Sequence, residues 1–390
     1  MVCLLLCCYS LAKTVRKQAL CFLFFNHVLS NQKQSQQLKI STHRVLITNL
    51  IIFYLYITIK SYLCVLIKSV NMEEYAKPPL KYIEQVKLLK SRGLIFANEQ
   101  GAEKQLANIS YYRLSAYILP YKKKDENGTI IDEFKEDTSW ENIYNLYIFD
   151  RKLRLLVFDA IERLEISIRT QIIYQLSHKY GSHWQDNSTI FKPPTTKLLS
   201  DGSSVMFDPY DDIQKHIKEQ LNNNRAEVFI QHYKNKYDNP KNPPSWMSVE
   251  IMYFNHLSRI CSGLKERTDR VNIANYFALP EKTFCSWLHT INYVRNICAH
   301  HARLWNRDFN IVPEKLSLSK RLVWISNTDT VQRKKIYYFL CMINYLLQTV
   351  NPTSQFKKQL IELLNKYNNV VNINSMGFPN NWQQEKMWKM

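Results

Sequence analysis

From residue 81 onward, apolar residues return every three or four positions, and no alternating run is long enough for a sheet. Ile83, Val86, Leu88 and Leu89 predict a first helix over 81–92, closed by Gly93 at the left-handed cap position. A short helix follows near 99–107. Next comes the aromatic stretch Ile109-Ser-Tyr-Tyr-Arg-Leu-Ser-Ala-Tyr-Ile-Leu-Pro-Tyr121, a helix stopped by Pro120. Residues 122–137 are polar and read as a loop or hairpin around Asn127-Gly128. Thr138 and Glu141 have the spacing of a capping box that opens the longest helix, about 140–180, ended by Gly181. Its apolar positions, from Ile143 and Leu146 through Leu153, Val157, Ile161 and Leu164 to Ile172, cover more than one face, so it should be central. Two pairs on it, Asp159–Arg163 and Glu165–Arg169, have i,i+4 spacing and read first as structural.

Residues 182–211 read as loop, with helices over 212–222 and 226–237 behind it. Pro243-Pro244-Ser245-Trp246 starts another helix, ending at Gly263. The next begins after Pro280 and runs to just before Pro313; two more cover 333–350 and 354–367, and 368–390 reads as an irregular tail. The fold class is all-α, with one helical domain over 72–367.

The helix after Pro280 carries the most informative pattern. At 100° per residue, Phe284, Trp287, Leu288, Ile291, Val294, Cys298, Ala302 and Trp305 make one apolar stripe. Asn292, Asn296, His300, Arg303 and Arg307 gather on the opposite side, Asn296 and His300 being i,i+4 neighbours. Arg295 falls at the edge of the stripe, about 140° from His300. A guanidinium there must be held by partners, because an unpaired buried charge is costly. An Arg so constrained, beside an Asn and a His, is a candidate phosphate site; a solvated or salt-bridged side chain is the plainer meaning of the same spacing.

Composition narrows the chemistry. Seven Gly leave no Gly-rich phosphate loop and no dinucleotide fingerprint. Nine Cys include no Cys-x-x-Cys pair and no metal-ligand spacing with His, and read as reduced thiols of a cytoplasmic protein. The net charge of +19 is uneven: residues 1–71 hold eight Lys or Arg and no Asp or Glu, leaving +11 to the remainder. That first stretch also lacks Gly, Pro and Trp. Val45 to Ile67 is largely apolar, but Lys60 interrupts it and leaves about fifteen residues after Arg44, fewer than the ~20 a membrane span needs. No secretory signal pattern is present either. The break at Met72 favours Met72 as the true start and 1–71 as translated upstream sequence; a membrane segment is the competing expectation.

Arg295-Asn296-Ile297-Cys298-Ala299-His300 resembles the Arg-x(4–6)-His signature of the HEPN superfamily of helical ribonucleases, including the polar second residue. The longer text Arg-Asn-Ile-Cys-Ala-His-His-Ala-Arg-Leu-Trp-Asn-Arg307 is similar to one branch, the bacterial abortive-infection (Abi) proteins. Tyr111-Tyr-Arg-Leu-Ser-Ala-Tyr117 resembles an early Abi signature, with Ala116 where Gly is usual. Phe149-Asp-Arg-Lys-Leu-Arg154, Ile161-Glu-Arg-Leu-Glu-Ile-Ser-Ile-Arg169 and Pro244-Ser-Trp-Met-Ser-Val-Glu250 are Abi-like as well. The resemblance implies a HEPN-like helical bundle with additional helices. It also implies a metal-independent endoribonuclease whose Arg and His, from two copies of the motif, meet across a dimer in defence against phage.

The residues suit that chemistry. RNA carries its own nucleophile, the 2′-hydroxyl. Cleavage then needs a base for its proton, an acid for the leaving 5′-oxygen and positive charge on the phosphate. His300 titrates in the useful range; Arg295 presents a flat, permanently charged fork; Asn296 can orient the imidazole or donate to phosphate. Asn292, Arg303 and Arg307 are candidate RNA contacts. His300 and His301 point about 100° apart on a helix and cannot easily share a metal, so no cofactor is expected and His301 reads as structural or peripheral. The expected partners are RNA, a second copy of the chain and an antitoxin RNA or protein. A non-catalytic RNA-binding regulator of the same fold is the alternative, and a membrane-anchored sensor a third if 1–71 is genuine.

Overall fold

The computed structural model describes Tyr54 and residues 75–198, 201–222, 226–317, 319 and 321–389. The expectations for 1–71 lie outside these residues apart from Tyr54, and among those described no helix is long and apolar enough to cross a membrane. Twelve α-helices appear among the described residues of the unit Leu80–Met390: α1 (Tyr82–Ser91), α2 (Glu99–Ile109), α3 (Tyr111–Ile118), α4 (Trp140–Tyr180), α5 (Pro209–Leu221), α6 (Val228–Lys236), α7 (Ser245–Ser248), α8 (Phe254–Gly263), α9 (Arg267–Tyr276), α10 (Glu281–Ala299), α11 (Ile336–Val350) and α12 (Phe356–Lys366). Two antiparallel hairpins interrupt them, β1 (Lys122–Lys124) with β2 (Ile130–Phe134) and β3 (Thr195–Leu198) with β4 (Ser204–Phe207). The fold is all-α.

α4 is the spine. Its 41 residues extend about 60 Å, and it packs against α3 and α8 to α12. Ile143, Leu146, Phe149, Leu153, Val157, Ile161, Leu164, Ile168 and Ile172 are all buried, which is why its apolar positions cover more than one face. The cap falls one residue later than the spacing suggested: Ser139, not Thr138, accepts from the N–H of Asn142. Beside it, α11 is buried on nearly every side, from Ile336 to Leu347. Two of its tyrosines, Tyr338 and Tyr345, put their hydroxyls to use there. That of Tyr338 accepts from the N–H of Leu316 at 3.0 Å, and that of Tyr345 donates to the carbonyl of Ala278 at 2.8 Å.

Several expected boundaries move. The first hairpin sits at Asn127-Gly128 as expected, but the supposed loop 182–211 holds a second. The helix expected from Ser245 to Gly263 is two, α7 and α8, divided by a segment that side chains hold in place. α9 was unforeseen, because among its ten residues Asp269, Ile273 and Ala274 alone are buried and no apolar stripe announces it. Lys179 and Tyr180 bind Asp269 instead and dock α9 on the end of α4. Among the described residues, 368–389 hold no α-helix yet bury Met376, Phe378, Trp382, Met387 and Trp388 against the core. Gly377 makes that approach possible: its φ is +86°, and a Cβ there would lie 2.5 Å from Cβ of Lys335.

Where α5 meets α8, His216 and His256 stack with centroids 4.0 Å apart. Burial, with the neighbouring His216, holds His256 at about 4, below the ordinary 6.5. The unfolded chain therefore binds a proton between those values that the folded chain does not, so stability falls as pH drops from about 6.5 toward 4. The expected loss is at most about 3 kcal/mol. Denaturant midpoints measured near neutrality and near pH 4.5 should differ less in His256→Leu than in the parent; an equal difference would remove His256 as a cause.

Candidate functional site

The helix carrying Arg295 does not run to Pro313. It ends at Ala299, with His300 as its C-cap and His301 in the left-handed region at φ 55°. The N–H of Ala302 donates to Ile297 and that of His301 to Cys298, the double bond of a Schellman cap. Two partners from far upstream complete the turn. Arg113 of α3 donates to the carbonyl of His301 at 2.7 Å. Asp150 of α4, fully buried, accepts from the N–H of Leu304 at 3.1 Å and of Trp305 at 2.5 Å. Those two N–H groups are thereby lost to any continued helix.

This corrects the single polar face drawn over Asn292, Asn296, His300, Arg303 and Arg307. Asn292, half-buried, and Asn296, exposed, lie on α10, and exposed His300 caps it. Arg303 and Arg307 belong to the irregular segment beyond. The guanidinium of Arg303 lies 6.0 Å from the ring of Trp305, and Arg307 donates to the carbonyl of Arg303. Ala302 and Trp305 reach the core from that segment rather than from a helical stripe. Side-chain spacing alone could not reveal the break, because both residues fall at helical positions while packing from a turn.

Asp150 joins three separated pieces of sequence. Besides the two backbone donors, it takes the hydroxyl of Tyr117 at 2.5 Å and the guanidinium of Arg154, itself buried. Burial pushes the Asp150 carboxyl up, while Arg154, Tyr117 and the backbone donors draw it back. Burial and the Asp150 charge also push the Tyr117 phenol up, keeping it a donor. The motifs around 111–117, 149–154 and 295–307 therefore close on one buried carboxylate that fixes the chain just after His300.

His301 contributes its backbone, through a left-handed cap and its carbonyl. A β-carbon is strained there, so His301→Gly should raise stability by up to about 1 kcal/mol and leave any activity unchanged. A fall in activity without a fall in melting temperature would instead give the imidazole a working role.

Arg295 lies half-buried at the edge of the α10 stripe, and its Nε is buried without a hydrogen-bond partner. Across from it on α4, Glu165 feels two opposing influences: burial raises its carboxyl, whereas Arg169 and then Arg295 lower it. Arg169 is fully engaged at its terminal nitrogens. It reaches Glu165 at 3.1 Å, the Glu250 carboxylate at 3.1 Å, and the carbonyls of Glu250 at 2.7 Å and Met252 at 3.0 Å. The pair that looked like a local i,i+4 contact is thus a brace between α4 and the segment before α8, and Arg295 of α10 acts on Glu165 through its charge. What results is a permanently charged group with a bare buried donor, five residues before an exposed imidazole on the same helix. A bare buried N–H is costly, and an anion would satisfy it. Exposed His289 lies about three turns before His300.

An all-helical protein with a braced Arg and a helix-capping His is the class this arrangement defines. The family model described as Abi-like protein matches residues 104–306, just over half of the chain and all of the site except Arg307. The chain belongs to that family, which ties it to abortive infection, a defence against phage. No curated protein and no solved structure matches the chain.

Proposed function

We propose that the protein is a HEPN-type endoribonuclease acting in that defence. The observation that supports this most is the half-buried Arg295, its Nε bare and its charge balanced by Glu165, on the helix that His300 caps. The 2′-hydroxyl of a nucleotide attacks the adjoining phosphorus and loses its proton to a base. The P–O5′ bond breaks, the 5′-oxygen takes a proton from an acid, and a 2′,3′-cyclic phosphate remains. Arg295 stabilises the charge on the phosphate, His300 carries a proton, and Asn296 orients the imidazole or donates to a phosphate oxygen. Asn292, Arg303 and Arg307 contact the flanking backbone.

One imidazole cannot be base and acid at opposite ends of the same phosphate. The chain has one His at this position, so a two-fold pairing of copies supplies the second, as well as a second Arg295. An antitoxin RNA or protein that keeps two copies apart, or covers the site, would restrain such an activity in an undisturbed cell. Purified protein incubated with total RNA, beside His300→Ala and across a range of protein concentrations, tests the proposal. Cleavage whose rate per chain rises with concentration supports the paired site. Binding without cleavage would instead make the protein a non-catalytic RNA-held regulator.

A further inference from the structure

Between α7 and α8 the chain reads Glu250-Ile251-Met252-Tyr253, and side chains hold its first three carbonyls. Arg169 takes those of Glu250 and Met252, and His216 Nε2 takes that of Ile251 at 3.1 Å. The fourth, on Tyr253, accepts from the N–H of His256 at 2.9 Å. A segment pinned at every carbonyl has little freedom left to lose when something binds it.

It delivers Tyr253 to the surface. One side of that ring rests on the buried imidazole pair, 5.1 Å from His216 and 5.9 Å from His256, the latter nearly parallel at 29°. The remainder is open, with Tyr253 57% exposed although both histidines beneath it are under a tenth exposed. The charges beside the stack satisfy each other: Arg259 grips both oxygens of Asp212 at 2.6 and 2.8 Å. An aromatic face fixed from below and free above is the form that nucleobases stack on. Tyr253 is also one peptide bond from Met252, whose carbonyl is held by Arg169, the brace that shares Glu165 with Arg295.

We propose that Tyr253 is a stacking platform for an unpaired nucleobase of RNA, next to the phosphate held at Arg295. The proposal rests on the RNA reading above. Stacking uses the face common to all bases, so the platform selects single-stranded RNA with little preference for sequence.

The test measures binding of the intact His300→Ala protein, which leaves the RNA uncut, by fluorescence anisotropy. The probes are a labelled oligoadenylate and an abasic ribose-phosphate oligomer of the same length. The oligoadenylate should bind roughly ten- to a hundredfold more tightly, the range for one stacked base. Adding Tyr253→Ala or Tyr253→Leu should erase that preference while leaving affinity for the abasic oligomer unchanged; Tyr253→Trp should keep it. A preference that survives both Tyr253→Ala and Tyr253→Leu overturns the platform and leaves the RNA reading standing. A protein that binds neither oligomer overturns both.

Discussion

If the proposed chemistry holds, His300→Ala and Arg295→Ala should each abolish RNA cleavage and growth inhibition, and neither should remove the helical fold. His300 is exposed and caps α10 through its backbone, so truncating it costs no packing. Loss of one proton carrier is worth ~10²–10⁴-fold in rate, and loss of a fixed positive donor at the phosphate ~10²–10³-fold. Arg295→Ala also takes a counter-charge from Glu165, but Arg169 remains bonded to that carboxylate, so the melting temperature should fall only modestly. Arg295→Lys keeps the charge without the fork and should not restore the rate. The check is a cleavage assay with a melting curve for each variant. Near-parental cleavage by either alanine variant, with the fold intact, would take that residue out of the site.

The largest stability effect belongs to Asp150. Asp150→Ala strands the Arg154 guanidinium, the Tyr117 hydroxyl and the N–H groups of Leu304 and Trp305 in a region closed to water. Breaking a buried ion pair from one side costs about 3–5 kcal/mol, a large share of the ~5–15 kcal/mol that holds a domain folded. The variant should lose much of its soluble yield, and what folds should cut RNA poorly because the turn after His300 is no longer held. Asp150→Asn should fall between, and Asp159→Ala, on the exposed side of α4, should melt like the parent. Replacing Asp150 and Arg154 together by apolar residues should be milder than Asp150→Ala, since no lone charge is left behind. Chemical denaturation of the four variants decides it, and an Asp150→Ala protein as stable as the parent would refute the hub.

Long periodic segments were the legible part of this fold. The course of α4 follows from its apolar spacing, and the left-handed cap at Gly93 from residue type. What escaped were effects that reach across the chain. Nothing near residue 300 announces that Asp150 will take the N–H groups of Leu304 and Trp305, so the continuing helical spacing of Ala302 and Trp305 misleads. α9 is held by Asp269 rather than by an apolar stripe, and a polar helix gives periodicity nothing to find. Arg295, Asn296 and His300 are proposed from local spacing and resemblance. The brace through Glu165 and Arg169 was visible as a pair, but its reach to Glu250 and Met252 was not. A buried Asp beside an Arg four residues on, inside an otherwise apolar stretch, was the signal that could have marked Asp150.

Residues 378–388 bear on how α11 is covered during synthesis. Tyr337 of α11 packs against Phe378 and Trp388, and Phe378 against Trp382. α11 in turn packs along α4. During translation α11, the most apolar helix among those described, thus stays uncovered until residues 378–388 have been made and have left the ribosome.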